Sequence, residues 1–174
     1  MLCSGSITVY TVGSLSQSKA ILSWDTVAHG GTRMAQATQD AEQTVESYVD
    51  VWNTGDYAKI PDVVAESATI YDPGAPEGEL HGPDEFESHL RELRAGFPDF
   101  TITIEDMLSD DEVVMLEWTV AATHKGEFND IPPTDQEIAL RGMSKTMVAD
   151  GKVREDRVYH DFHEFLGQLG LVDD

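Results

Sequence analysis

Asp161 closes a stretch in which Glu155, Arg157, Tyr159 and Asp161 recur at every second position, the spacing that puts side chains on one face of a strand. A face joining aromatic surface at Tyr159 to an ionisable tip at Asp161 suits the wall of a small-molecule pocket. Asp161 also stands directly before Phe162–Glu164, where a carboxylate could instead accept backbone N–H groups as a helix cap. The two roles make opposite demands. A capping carboxylate favours a depressed pKa, whereas a general base gains from desolvation that raises it. Arg157, if it points at Asp161, would pair with it and weaken it as a base.

His124 ends a second alternating run, Leu116, Trp118, Val120, Ala122 and His124. It could orient Asp161, donate to a substrate oxygen, or simply be satisfied at the rim of a sheet. Arg141 shares a third run with Met143, Lys145 and Met147. It could stabilise a developing oxyanion or form a salt bridge with one of the many acids. Trp52, Tyr71, Trp118, Met143, Met147 and Tyr159 are expected in the core or lining a pocket, with Arg141 and Arg157 as further substrate contacts. Tyrosine and tryptophan carry polar handles that suit a rim. His160 and His163 have the three-residue gap of some metal sites. At a strand-to-helix junction their rings need not converge, no further ligand cluster lies nearby, and Cys3 is the only cysteine. Neither a metal nor a disulfide is therefore expected.

These residues need elements to hold them. Val45, Tyr48, Val49 and Trp52 fall at i, i+3, i+4 and i+7, one stripe of an amphipathic helix that Asn53-Thr54-Gly55 stops. Tyr57, Ile60, Val63 and Val64 suggest a short second helix. Pro83, Asp84 and Glu85 open a third, whose buried face is Phe86, Leu90, Leu93 and Phe97 and which Pro98 stops. Strands follow. Residues 69–72 lead into a Pro/Gly loop over 73–78, and residues 100–105, 113–123, 138–148 and 153–161 read as a meander. Asp150-Gly151 is a hairpin turn, and a last short helix covers about 162–169. This order predicts an α+β fold, a curved antiparallel sheet wrapped around the N-terminal helices as a cone with an internal pocket.

Composition sets the company such a fold keeps. Among 174 residues there are 33 Asp+Glu against 11 Lys+Arg, a formal net charge of −22. That charge repels phosphate backbones and anionic headgroups, so neither nucleic acid nor membrane is an expected partner. No apolar run approaches the ~20 residues that span a bilayer. The acids are spread along the chain, as on a solvated surface adapted to a salt-rich, halophilic cytosol; a basic partner is the alternative. Residues 1–33 differ: their only acid is Asp25, and their bases are Lys19 and Arg33. They lack the charged start and unbroken apolar core of a signal peptide. They are expected to be disordered or foreign to the native protein, with Met34 as its start and residues 34–174 as one cytoplasmic domain.

Several short motifs recur in a telling order: Trp52-Asn53-Thr54-Gly55-Asp56, Tyr71-Asp72-Pro73, Phe97-Pro98-Asp99, Thr123-His124-Lys125-Gly126, Ile131-Pro132-Pro133-Thr134, Arg141-Gly142-Met143, Asp150-Gly151-Lys152-Val153 and Gln168-Leu169-Gly170-Leu171. Together, over about 41–172, they resemble the SnoaL-like polyketide cyclases, or ester cyclases, whose cone is shared with ketosteroid isomerase and nuclear transport factor. The resemblance implies cofactor-free intramolecular aldol closure of a small carbonyl compound, with Asp161 as acid/base and His124 assisting. One carboxylate suffices because the substrate's own carbonyls acidify the C–H bond. It also implies a homodimer. A non-catalytic binding domain of the same fold, or an isomerase or epoxide hydrolase with an arginine between aspartates, remain the alternatives.

Overall fold

The computed structural model describes residues 25–172. Helix α1 spans Asp25–Thr54 and buries Ala41, Val45, Tyr48, Val49 and Trp52, the stripe its spacing predicts. Gly55, at φ +64°, ends it and donates back to the Val51 carbonyl at 2.9 Å; the left-handed region costs glycine nothing. Arg94 Nη1 then donates to the last carbonyls, Trp52 O at 3.1 Å and Asn53 O at 2.9 Å. α1 begins before Met34, and the rest of the stretch 1–33 lies outside the described residues.

A short 3-10 turn, Tyr57–Lys59, leads into the single-turn α2, Ile60–Val63. Val64 is already the first residue of strand β1, Val64–Tyr71. A three-residue strand within the expected connection, β2 (Glu79–His81), pairs antiparallel with β1. Helix α3, Gly82–Gly96, buries Phe86, His89 and Leu90. Strands β3 (Thr101–Asp110), β4 (Val113–Thr123), β5 (Glu137–Ala149) and β6 (Lys152–His160) follow, and α4 is Phe162–Gln168. Between β5 and β6, Asp150 and Gly151 have φ of +54° and +71°, the left-handed pair of a tight hairpin.

One six-stranded sheet has the order β2-β1-β6-β5-β4-β3. The fold is α+β, with one departure from expectation: β1 and β6 run parallel, so the sheet is mixed. The long chain between them makes this possible, since a parallel pair needs a crossover that a tight turn cannot supply. Two amide side chains fasten helices to strands. Asn53 accepts from Ile102 N at 2.7 Å and donates to Ile102 O at 2.9 Å. Gln168 does the same for Ala139, at 2.7 and 2.9 Å. Each mimics one rung of a ladder. Asn53 ties the end of α1 to β3, and Gln168 draws α4 across the end of the sheet. No helix among the described residues is long and apolar enough to cross a membrane.

Candidate active site

The concave side of the sheet, α1, α3 and α4 line a cavity of about 120 Å³ that is partly open to solvent. Its wall is mainly aromatic and aliphatic, and its polar side chains are Tyr48, Asp72, His89, Ser144, Asp156 and His160. Trp52 and Trp118 both line it and are buried. Trp118 donates its indole N–H to Ser144 Oγ at 3.0 Å. Opposite Trp118 in the ladder stands Gly142, where a side chain would overlap the indole ring.

The remaining predicted site residues lie elsewhere. Arg141, Met143, Met147 and Tyr159 are exposed, on the convex face of the sheet. Arg157 stacks its guanidinium 4.4 Å over the Tyr71 ring and pairs with Glu155 at 2.7 Å; no ion pair joins it to Asp161. Asp161 is exposed and caps α4, accepting the Glu164 N–H at 3.0 Å. His124 is fully buried behind the cavity wall, stacked on Phe97 with centroids 4.8 Å apart. Its Nδ1 contacts Thr134 Oγ1 at 3.1 Å and accepts from Thr134 N at 3.3 Å. His160 lines the cavity while His163 is exposed, so the pair does not converge. Among the described residues, no three His, Cys, Asp or Glu side chains form a set that could hold a metal ion.

The wall that β6 contributes is therefore Asp156, Val158 and His160, and not the face of Tyr159 and Asp161. A bulge causes the inversion. Val148 pairs with Val153 but Met147 pairs with Glu155, leaving Arg154 as an extra residue. Val153 and Asp156 are both buried although three positions apart, because one inserted residue flips the side-chain phase beyond it.

Asp72 and Asp156 sit on neighbouring chain segments, Asp156 opposite Ile70 and Asp72 two residues further along. Their environments push them apart. Burial drives Asp156 upward, the Asp72 charge adds to this, and hydrogen bonds from Thr146 Oγ1 (2.8 Å) and Tyr48 Oη (3.4 Å) only partly oppose it, so its pKa reaches about 7. Burial also works against an ionised Asp72, but His160, the Gly74 N–H at 2.8 Å and His89 more than offset it, and the Asp72 pKa falls below its ordinary value. His160 Nε2 lies 3.9 Å from Asp72 Oδ1, within electrostatic reach and beyond hydrogen-bond length. Burial lowers the pKa of His89 despite the nearby charges of Asp72 and Glu92. The Tyr48 hydroxyl is held well above its ordinary value by burial and by Asp156.

Tyr48, Asp72, His89, Ser144, Asp156 and His160 were not singled out by sequence as chemical groups of a pocket. His89 had a signal, since Phe86, His89, Leu90 and Leu93 share the buried stripe of α3. Asp156 had none, because its phase depends on the bulge.

The model of the SnoaL-like polyketide cyclase family matches residues 42–169, and the chain belongs to that family. Among solved structures it is similar to wild-type IdmH from Streptomyces antibioticus, described as a candidate polyketide cyclase. The two share 26% identity over 75% of this chain and 98% of that one, with a TM-score of 0.65. A candidate SnoaL-like polyketide cyclase from Jannaschia Sp. CCS1 shares the fold at 16% identity, over 78% of this chain and 95% of that one, with a TM-score of 0.69. An LEH-like epoxide hydrolase of M. tuberculosis does so at 17%, over 76% and 90%, with a TM-score of 0.61. No curated protein matches the sequence.

Proposed function

We propose that the chain is a cyclase-type enzyme that performs acid–base chemistry on a small carbonyl compound inside this cavity. The observation that carries the reading is the opposed electrostatics of Asp72 and Asp156, which both line one largely apolar cavity. Two carboxyl groups with divergent pKa values divide the roles of proton acceptor and hydrogen-bond donor. Ionised Asp72 takes a proton from the carbon between two carbonyls. Neutral Asp156 donates a hydrogen bond to the enolate oxygen as charge develops there. The enolate carbon attacks a second carbonyl of the same molecule, and the alkoxide so formed recovers the proton from Asp72. Every atom is then accounted for and both carboxyl groups return to their starting state.

Asp161 has no chemical part in this reading, since it is exposed and its carboxylate is engaged with α4. His124 is a support for Phe97. Arginine is absent from the cavity wall among the described residues, which disfavours epoxide opening by an arginine-bridged pair. The exposed apolar residues of the convex face, including Met143 (48%) and Tyr159 (58%), support a homodimer seam there.

The test is hydrogen–deuterium exchange at the central carbon of a β-keto ester, followed by NMR above the uncatalysed rate. Asp72→Asn is expected to abolish enzymatic exchange, and Asp156→Leu to reduce it at least tenfold. Unchanged exchange in a folded Asp72→Asn protein defeats the proposal.

A further inference from the structure

Thr146 and Asp156 stand directly opposite each other in the β5–β6 ladder, and both are buried. Thr146 Oγ1 donates to Asp156 Oδ1 at 2.8 Å, and among the described residues that hydroxyl has no other side-chain partner. Val114, its neighbour across the β4–β5 ladder, is apolar and fully buried. A hydroxyl in such surroundings costs stability unless it is hydrogen-bonded, and valine would fill nearly the same space without one. The bulge at Arg154 creates the pair. Continued in the register of Val148 with Val153, β6 would set Glu155 against Thr146, since a shift of one residue exchanges the faces. Thr146 lies outside the cavity wall, whereas Asp156 forms part of it.

The two oxygens of Asp156 are not alike. Oδ1 has the 2.8 Å bond from Thr146, while Oδ2 is 3.4 Å from Tyr48 Oη, longer than the ~2.5–3.0 Å of a well-formed O–H···O bond. A neutral carboxyl group has one carbonyl oxygen, which accepts, and one hydroxyl oxygen, which donates. The short contact with a donor marks Oδ1 as the carbonyl oxygen. Oδ2 is left to carry the proton.

We propose that Thr146 is a positioning residue of the acid–base site, its hydroxyl occupying Oδ1 of Asp156 and so holding the donated proton on Oδ2, the oxygen beside Tyr48. This rests on the reading of Asp156 as the neutral hydrogen-bond donor of the cavity. Thr146 meets no substrate and acts only through Asp156.

The consequence for pH has a definite sign. Asp156 is met by Tyr48 from α1, by Thr146 from β5 and by the charge of Asp72 beyond the end of β1; His160 on its own strand and His89 on α3 act on Asp72. The bond from Thr146 favours the ionised form of Asp156. Its loss keeps Asp156 neutral to higher pH, because a carboxylate deprived of a donor is harder to form. Exchange that needs neutral Asp156 then persists further into the alkaline range, at a lower rate because the proton is no longer confined to one oxygen.

Two measurements on the full chain test this, a carbon-13 NMR titration of the aspartate carboxyl groups and the pH profile of deuterium exchange into a β-keto ester. Asp156→Asn assigns the Asp156 signal. In Thr146→Val the Asp156 midpoint and the alkaline limb of exchange are both expected to rise by about half a pH unit or more, and the plateau rate to fall ~3-fold or more. Thr146→Ser keeps the hydroxyl and is expected to restore midpoint, limb and rate. A merely structural role would lower the melting temperature and leave the midpoint in place. Should Thr146→Val fail to fold, Thr146→Ala removes the same hydroxyl. An Asp156 midpoint unmoved in the folded variant, or moved equally by serine, overturns the proposal. A midpoint that moves while the unaltered protein shows no enzymatic exchange defeats the acid–base reading and upholds the hold of Thr146 on Asp156. Enhanced exchange whose alkaline limb stays fixed in the variant does the reverse.

Discussion

Asp161 Oδ1 accepts the backbone N–H of Glu164 at 3.0 Å, so the carboxylate with the strongest claim by sequence resemblance is held at the start of α4. That helix carries Phe165 into the core, as does the residue after it, Leu169, and it closes one end of the cavity. Asp161→Ala leaves an N–H of the first turn unsatisfied and is expected to lower stability by ~1 kcal/mol, read as a fall of a few degrees in melting temperature. Asp161→Asn retains an accepting oxygen and is expected to lose less. Both variants should keep turnover within a few-fold of the unaltered enzyme. Loss of all turnover with an unchanged melting curve would return the chemistry to Asp161.

The raised pKa of Asp156 ties stability to pH. Its ordinary value is 3.8 and its folded value about 7, so between these limits the folded chain binds the proton that the unfolded chain releases. Its contribution is complete below pH ~4 and is lost progressively as pH rises to ~7. Asp156→Asn is neutral throughout and should flatten that decline, melting above the unaltered protein at pH 8. An upper bound on the difference is ~4 kcal/mol, since local relaxation and water entry reduce it. Asp72, shifted downward, acts in the opposite sense and weakens the fold only as pH drops through its lowered value. Parallel stability–pH curves for the two proteins between pH 5 and 8 would contradict the assignment.

How much of this was legible in the sequence depended on whether a rule acted locally. The stripe Val45, Tyr48, Val49 and Trp52, the Asp150-Gly151 turn and the extent of β4 each follow from spacing and turn chemistry within a few residues, and each appears in the fold. The parallel β1–β6 pairing joins segments far apart in the chain, which no local pattern encodes. The cavity wall was misread at one identifiable place. Strict alternation from buried Val153 puts Glu155, Arg157, Tyr159 and Asp161 on the inner face, and the extra residue at Arg154 exchanges them for Asp156, Val158 and His160. A charged residue at an exposed strand position gives no sign that it is a bulge. Asp72 was visible within Tyr71-Asp72-Pro73 as a motif, but its chemistry depends on His89 and His160, which only the folded chain brings to it.

Trp118 and Gly142 form a size-matched pair across β4 and β5. A methyl group at position 142 would meet the indole of Trp118 and lie 2.7 Å from the Tyr159 carbonyl oxygen. The indole cannot yield freely, because it forms part of the cavity wall and donates to Ser144. Gly142→Ala is therefore expected to destabilise the fold by ~1–3 kcal/mol through overpacking. The displaced indole should also change the tryptophan fluorescence and slow deuterium exchange at the central carbon of a β-keto ester. A variant that melts and fluoresces like the unaltered protein would show that the close approach of Trp118 to Gly142 is not maintained in solution.

On the opposite side of the sheet, Met143 stands beside Tyr159 in the β5–β6 ladder, with Lys145 beside Arg157 and Met147 beside Glu155. Apolar surface is thus interleaved with both signs of charge. A two-fold axis through this face could set Lys145 or Arg157 against Glu155 of a second copy while covering the methionines, an arrangement suited to an isologous contact. Light scattering on the purified chain is expected to give twice the monomer mass. Met143→Glu combined with Tyr159→Glu should shift it to one copy, because each substitution places two like charges near the axis. The cavity lies on the concave side, so the separated variant should still catalyse deuterium exchange of a β-keto ester. A monomeric mass for the unaltered chain at all concentrations would remove the seam, and a dimer indifferent to both substitutions would place it on another surface.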